Sequence, residues 1–227
     1  MAAEFRTCLL DPVPEIFDAA RYLDAAVSAH LRCKPKMAEE LIRLADSAEI
    51  TAWAEALWGS GGPWTRPLPV EHPEPSVPKG QRVADRMPSS EGQSALVARD
   101  GRHCRFCNIP LVRAEVRKLI CRAYPKAARW GPRNLDQHAG LQAMWLQFDH
   151  VLPHARGGTN DLGNLLVTCA PCNYGSSNLT LAEVGLLDPR LRPVLSSTWD
   201  GLERFSTPTL QGPGLMSSPS FIGNDAS

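Results

Sequence analysis

The chain has 227 residues, of which 43% are hydrophobic and 21% charged, and its formal net charge is zero. That length suits one or two domains of roughly 100–200 residues each, with enough apolar material for a core. No window approaches the roughly 20 continuous apolar residues that span a bilayer, and Glu4 and Asp11 interrupt any secretory leader. Neither a membrane protein nor an exported disulfide scaffold is expected, and a cytoplasmic location is.

Residues 1–58 form the first predicted unit. Ile16, Phe17, Ala20, Leu23, Val27 and Leu31 recur at three- and four-residue steps, followed by Met37, Leu41, Ile42 and Leu44, then Ile50, Trp53, Ala54, Leu57 and Trp58. Asp11 and Pro14 supply start signals and Gly59 a stop, so a helical hairpin or three-helix unit is expected. It carries no recognisable chemistry, which leaves three uses open: a protein partner, a homodimer, or packing on the rest of the chain. Residues 59–90 then change character, with prolines at 63, 67, 69, 73, 75, 78 and 88. Proline removes donors and favours extended chain, so this reads as a linker or a strap over a surface, with Trp64 as its anchor.

The next predicted unit spans 91–190. A helix begins at Ser89 or Ser90 and runs to about Asp100, ended by Gly101. Residues 111–124 and 134–145 read as helices, 145–151 as a strand, 152–163 as a loop and 164–169 as a second strand. Pro171 opens a further helix, because a first turn tolerates its missing N–H. The tail over 206–227 is rich in Ser, Thr, Pro and Gly and is expected to be disordered. There are no internal repeats.

The zero net charge hides an asymmetry. Residues 101–140 hold nine Lys and Arg against two Asp and Glu, a stretch that reads either as a solvated helix face or as a surface for a polyanion. There are seven cysteines. Cys8, Cys33 and Cys121 are isolated, while Cys104-x-x-Cys107 and Cys169-x-x-Cys172 are two identical pairs. One such pair could be a redox motif; two read as a tetrahedral Zn²⁺ site, because a two-residue gap aims two thiolates at one ion. Four cysteinates would close the coordination, so the zinc is expected to be structural. The long gap between the pairs implies a helical insertion.

The remaining chemistry lies in Asp149-His150, then Asn164 fourteen residues on, then Asn173 after a further nine. With its flanking cysteine pairs this segment, about residues 104–177, resembles the HNH endonuclease family of bacteria and phages. The resemblance implies an α+β fold: a small ββα-metal (His-Me finger) core with a structural zinc. It also implies hydrolysis of phosphodiester bonds in DNA, or in RNA. On that reading His150 is the general base. Asp149 and Asn173 offer hard oxygens to a catalytic Mg²⁺ or Mn²⁺. Asn164 pins the loop and so orients His150. Strand alternation places the Asp149 and His150 side chains on opposite sides.

Phosphate contacts are expected from Arg113, Arg117, Lys118, Arg122, Arg156 and His154. Tyr174 and Ser176-Ser177 stand where the family often has basic residues, which puts phosphate binding by that helix in doubt and shifts it to the basic insertion. His103 and His138 read as ordinary surface or packing residues. The competing class is a non-catalytic zinc module that binds nucleic acid or protein; it would need the cysteines but not Asp149, His150, Asn164 and Asn173 together. One active site per chain makes nicking the default.

Overall fold

Three helices open the chain, each begun by a residue suited to its first turn. The computed structural model describes residues 5–59 and 67–207. Helix α1 (Pro14–Leu31) has Pro14 in its first turn and buries Ile16, Ala20, Leu23 and Val27 along one face. Cys33, at φ 56°, turns the chain into α2 (Pro35–Leu44). Ser47 caps α3 (Ala48–Trp58), its Oγ accepting the Ile50 N–H. Ile50, Trp53, Ala54 and Leu57 are the buried face of α3.

Beyond the strap, α4 (Ser90–Asp100) begins with Ser89 Oγ accepting the Gly92 N–H at 3.1 Å and ends at Gly101, φ 73°. Its last turn reaches across the fold. The buried Asp100 carboxylate accepts the Val167 N–H at 3.0 Å, and Arg99 donates to the Leu165 carbonyl at 2.6 Å. Helix α5 (Ala114–Ala123) opens the insertion. The helix expected over 134–145 is shorter than predicted: a 3₁₀ turn spans Asn134–Asp136, and α6 covers only Ala139–Ala143. The cause is His138, whose backbone is extended. Its Nδ1 accepts the Leu141 N–H at 3.2 Å, and its Nε2–H donates to the Ile42 carbonyl at 2.8 Å. The imidazole thus starts a new helix instead of continuing an old one.

Strands β1 (Leu146–His150) and β2 (Leu165–Cys169) pair antiparallel, with Leu146 opposite Cys169 and His150 opposite Leu165. Helices α7 (Ala170–Ser176) and α8 (Leu181–Val184) follow, α8 carrying a reciprocal Thr180–Glu183 cap. The architecture is α+β, a ββα unit wrapped by helices.

One apolar core joins the N-terminal helices to this unit, running from Ile16, Ile42 and Leu57 to Leu141 and Val167. Helix α3 lies directly against α7: a Cβ on Gly175 would meet the Leu57 carbonyl oxygen at 3.0 Å. Of the three uses left open for residues 1–58, packing on the rest of the chain is therefore seen. Among the described residues, no helix is long and apolar enough to cross a membrane. Trp64, and the expected tail beyond residue 207, lie outside the described residues.

Candidate active site and metal centre

The two cysteine pairs meet at the base of the sheet. Cys104 and Cys107 stand on a tight knuckle in which Cys104 N–H donates to the Ile109 carbonyl at 3.0 Å and Asn108, at φ 63°, closes the turn. Arg105 N–H donates to the Val167 carbonyl at 3.0 Å and docks the knuckle on β2. Cys169 ends β2 and Cys172 lies in the first turn of α7. The four Sγ atoms lie within 4.8 Å of one another, and all four residues are buried. Cys107 and Cys169 Sγ are 3.7 Å apart, close to the roughly 3.8 Å edge of a tetrahedron built on 2.3 Å Zn–S bonds. Burial opposes ionisation, yet hydrogen bonds from Cys107, Cys169 and Cys172 hold the Cys104 thiol well below its usual range. The donor set and spacing fit a metal such as zinc, with no side left open.

The second centre is a cleft of about 650 Å³ beside the end of β1 and the second half of α7. Asp149, His150, His154, Asn173 and Tyr174 line it, and so do Lys79, Arg82 and Arg86 of the strap. His150 closes β1, and its Nε2 lies 2.9 Å from Asn160 Oδ1. Which atom of the amide faces the ring is decided by the strap. Asn160 Nδ2 donates to the carbonyls of Asp85, at 2.5 Å, and Met87, at 3.3 Å. Oδ1 must then face His150, so Nε2 carries the proton and Nδ1 keeps its lone pair. Burial lowers the His150 pKa below its usual value, with His154 and Arg86 adding to the effect. The ring is neutral near pH 7.

Asn164 holds the loop between the strands. Its Oδ1 accepts the Leu152 N–H at 2.8 Å, and its Nδ2 donates to the carbonyls of Leu152, at 3.2 Å, and Thr159, at 2.9 Å. Gly158 runs against the Leu152 carbonyl with no room for a side chain.

Asp149 and His150 both line the cleft, as do Gln147 and Phe148 before them. The sheet ends there, and the Asp149 carboxylate folds back to accept the His150 backbone N–H at 2.9 Å. Burial pushes the Asp149 carboxyl up to about 7. With Asn173 in the same cleft, the donor set is one carboxylate and one amide oxygen. That fits a hard divalent cation that keeps several of its own waters.

The predicted phosphate contacts fare unevenly. Only His154 lines the cleft, its Nε2–H donating to the Val83 carbonyl at 2.9 Å. Arg117 is buried and not on a surface: its guanidinium lies 3.6 Å from the ring centre of Trp130 and 4.1 Å from that of Trp145. Arg156 is committed to an ion pair with Glu183 at 3.1 Å and to the carbonyls of Glu74 and Asn178. Arg113 pairs with Glu115 at 3.3 Å. Lys118 and Arg122 are exposed on α5, outside the cleft. His138 is a packing residue, fully buried. Sequence reasoning missed Asn160 and the strap cations. An Asn ten residues after the histidine was the only available signal for the first, and the strap's Lys and Arg for the second.

A sheet of two strands, a helix packed on it, and His, Asn and Asp lining one cleft at its end fit a ββα core. Residues 137–178 match the family model described as HNH endonuclease, and the chain thus carries an HNH domain, which implies nuclease-type activity on nucleic acid. No curated protein and no solved structure matches the chain.

Proposed function

We propose that this protein is a metal-dependent endonuclease that hydrolyses phosphodiester bonds in DNA. The observation that carries this reading is the His150–Asn160 hydrogen bond, which leaves Nδ1 unprotonated in a cleft shared with Asp149 and Asn173. His150 Nδ1 takes a proton from a water, the resulting hydroxide attacks phosphorus, and the bond to the 3′ oxygen breaks. Asn160 fixes the tautomer of the base, and Asn164 holds the loop that bears both groups. Asp149 and Asn173 would hold Mg²⁺ or Mn²⁺, which when bound neutralises phosphate charge and assists the departing oxygen. The cysteine cluster would hold Zn²⁺ as a structural staple, placing Asn173 directly after Cys172.

The test is plasmid nicking by wild type and His150→Ala in Mg²⁺, Mn²⁺ or EDTA. Wild type is expected to nick with either metal and not in EDTA, and His150→Ala to leave the plasmid intact while keeping its fold. If every DNA stays whole with wild type, the chain is instead a non-catalytic zinc module.

A further inference from the structure

The HNH-type reading leaves a charge unaccounted for. A phosphodiester brings a full negative charge to the cleft, yet α7 from Asn173 to Ser176 contains no cation. Arg117 and Arg156 are spent inside the fold. The cations that do line the cleft come from a segment that reads as a linker: Lys79, Arg82 and Arg86. Among the described residues that line the cleft, Asp149 is the only acidic one. Among the described residues, the side chains of Lys79 and Arg86 make no hydrogen bond or ion pair, and the Arg82 side chain makes one, from Nε to the Val77 carbonyl at 2.8 Å. Arg86 lines the cleft together with Asp149, His150 and Tyr174.

The strap is also built to hold these cations in place. Leu68 N–H donates to the Glu183 carbonyl at 2.7 Å, and Val77 N–H to the Ala155 carbonyl at 2.9 Å. His154 donates to Val83, and Asn160 to Asp85 and Met87. Prolines 69, 73, 75 and 78 keep the chain between these points extended. The amide that orients His150 therefore also fastens the segment carrying Arg86, which lies between the two residues, Asp85 and Met87, that it holds.

We infer that the strap is the phosphate clamp of this enzyme, with Arg86 contacting the reacting phosphate and Lys79 and Arg82 the phosphates beside it. This rests on the nuclease reading for its catalytic part and stands apart from it for its binding part. The ligand is the sugar–phosphate backbone, recognised by charge and not by base. The substrate backbone passes between the strap and α7.

The test uses the full chain and a fluorescein-labelled 24-base-pair DNA duplex. Binding is read by anisotropy in EDTA from 50 to 200 mM salt, and cleavage of the same duplex in Mg²⁺. Arg86→Ala is expected to weaken binding about tenfold and to flatten the slope of log affinity against log salt by about one. Lys79→Ala should flatten that slope similarly. In Mg²⁺, Arg86→Ala should lose about 100-fold in kcat with a smaller change in KM. Arg86→Lys should recover the salt slope and only part of kcat, because a point charge replaces a planar fork. Arg86 is exposed, so both variants should melt with wild type. Wild-type binding, salt slope and kcat in Arg86→Ala would overturn the clamp, as would a wild-type protein that fails to bind the duplex at 50 mM salt. A wild type that binds with the expected slope and does not cut leaves the clamp standing and removes the hydrolysis reading.

Discussion

Two neighbouring residues of α7 belong to opposite kinds of site. At Cys172 four soft sulfurs face inward, all buried and within 4.8 Å of one another. One residue later, Asn173 faces an open cleft of about 650 Å³ with hard oxygen and nitrogen donors and three cations opposite. The first site is closed and suits an ion whose task is to hold structure; the second keeps room for water and a phosphate. On the proposed reading a staple and a reaction centre share one short helix: an ion held by the cysteines would fix the helix start and with it the position of the next side chain.

The sharpest way to break the contrast is to open the closed site. Cys107→Ser should cost about 5 kcal/mol or more, lowering Tm by about 10–20 °C, with loss of bound zinc measured by metal analysis. A soluble, folded Cys107→Ser protein with wild-type Tm would show that the cluster is not a staple. Striking the open site should do the reverse. His150→Ala should lower the cleavage rate about 10³-fold while leaving Tm and zinc content unchanged.

A third measurement probes the dry side of the molecule. Burial holds His138 at a pKa of about 4, below its ordinary 6.5. Between those values the unfolded chain binds a proton that the folded chain does not, so stability is full above pH 6.5 and falls as pH drops toward 4. The loss should approach about 3 kcal/mol in urea unfolding. His138→Asn, which keeps a capping oxygen, should remove most of that slope; an unchanged slope would place the titrating group elsewhere. The smallest effect is expected where the open site meets the strap. Asn160→Ala should lower kcat about tenfold, since the base loses its orienting partner but keeps its nitrogen. Limited proteolysis should cut its strap faster than that of wild type, and equal rates would show that Asn160 does not fasten it.

Much of this was legible in the sequence, for reasons that differ by element. Helix α4 was readable at both ends because Ser89 and Gly101 act within one turn of themselves. The cysteine pairs were readable because a knuckle needs only a two-residue gap. The helix over 134–145 was overread: helical periodicity cannot show that an imidazole will be held by a carbonyl of α2. Arg117 was misplaced for a similar reason. An arginine on a basic helix looks solvated until Trp130 and Trp145 close over it.

By itself, the sequence determined the chemical kind of each centre, soft sulfur at one and histidine with hard oxygens at the other, since ligand type and short spacing are local properties of a chain. Only the tertiary structure decided which nitrogen of His150 is free and which cations face it. Those depend on Asn160, Asp85 and Arg86 coming together from segments some seventy residues apart, and an orientation or a field is set by neighbours in space.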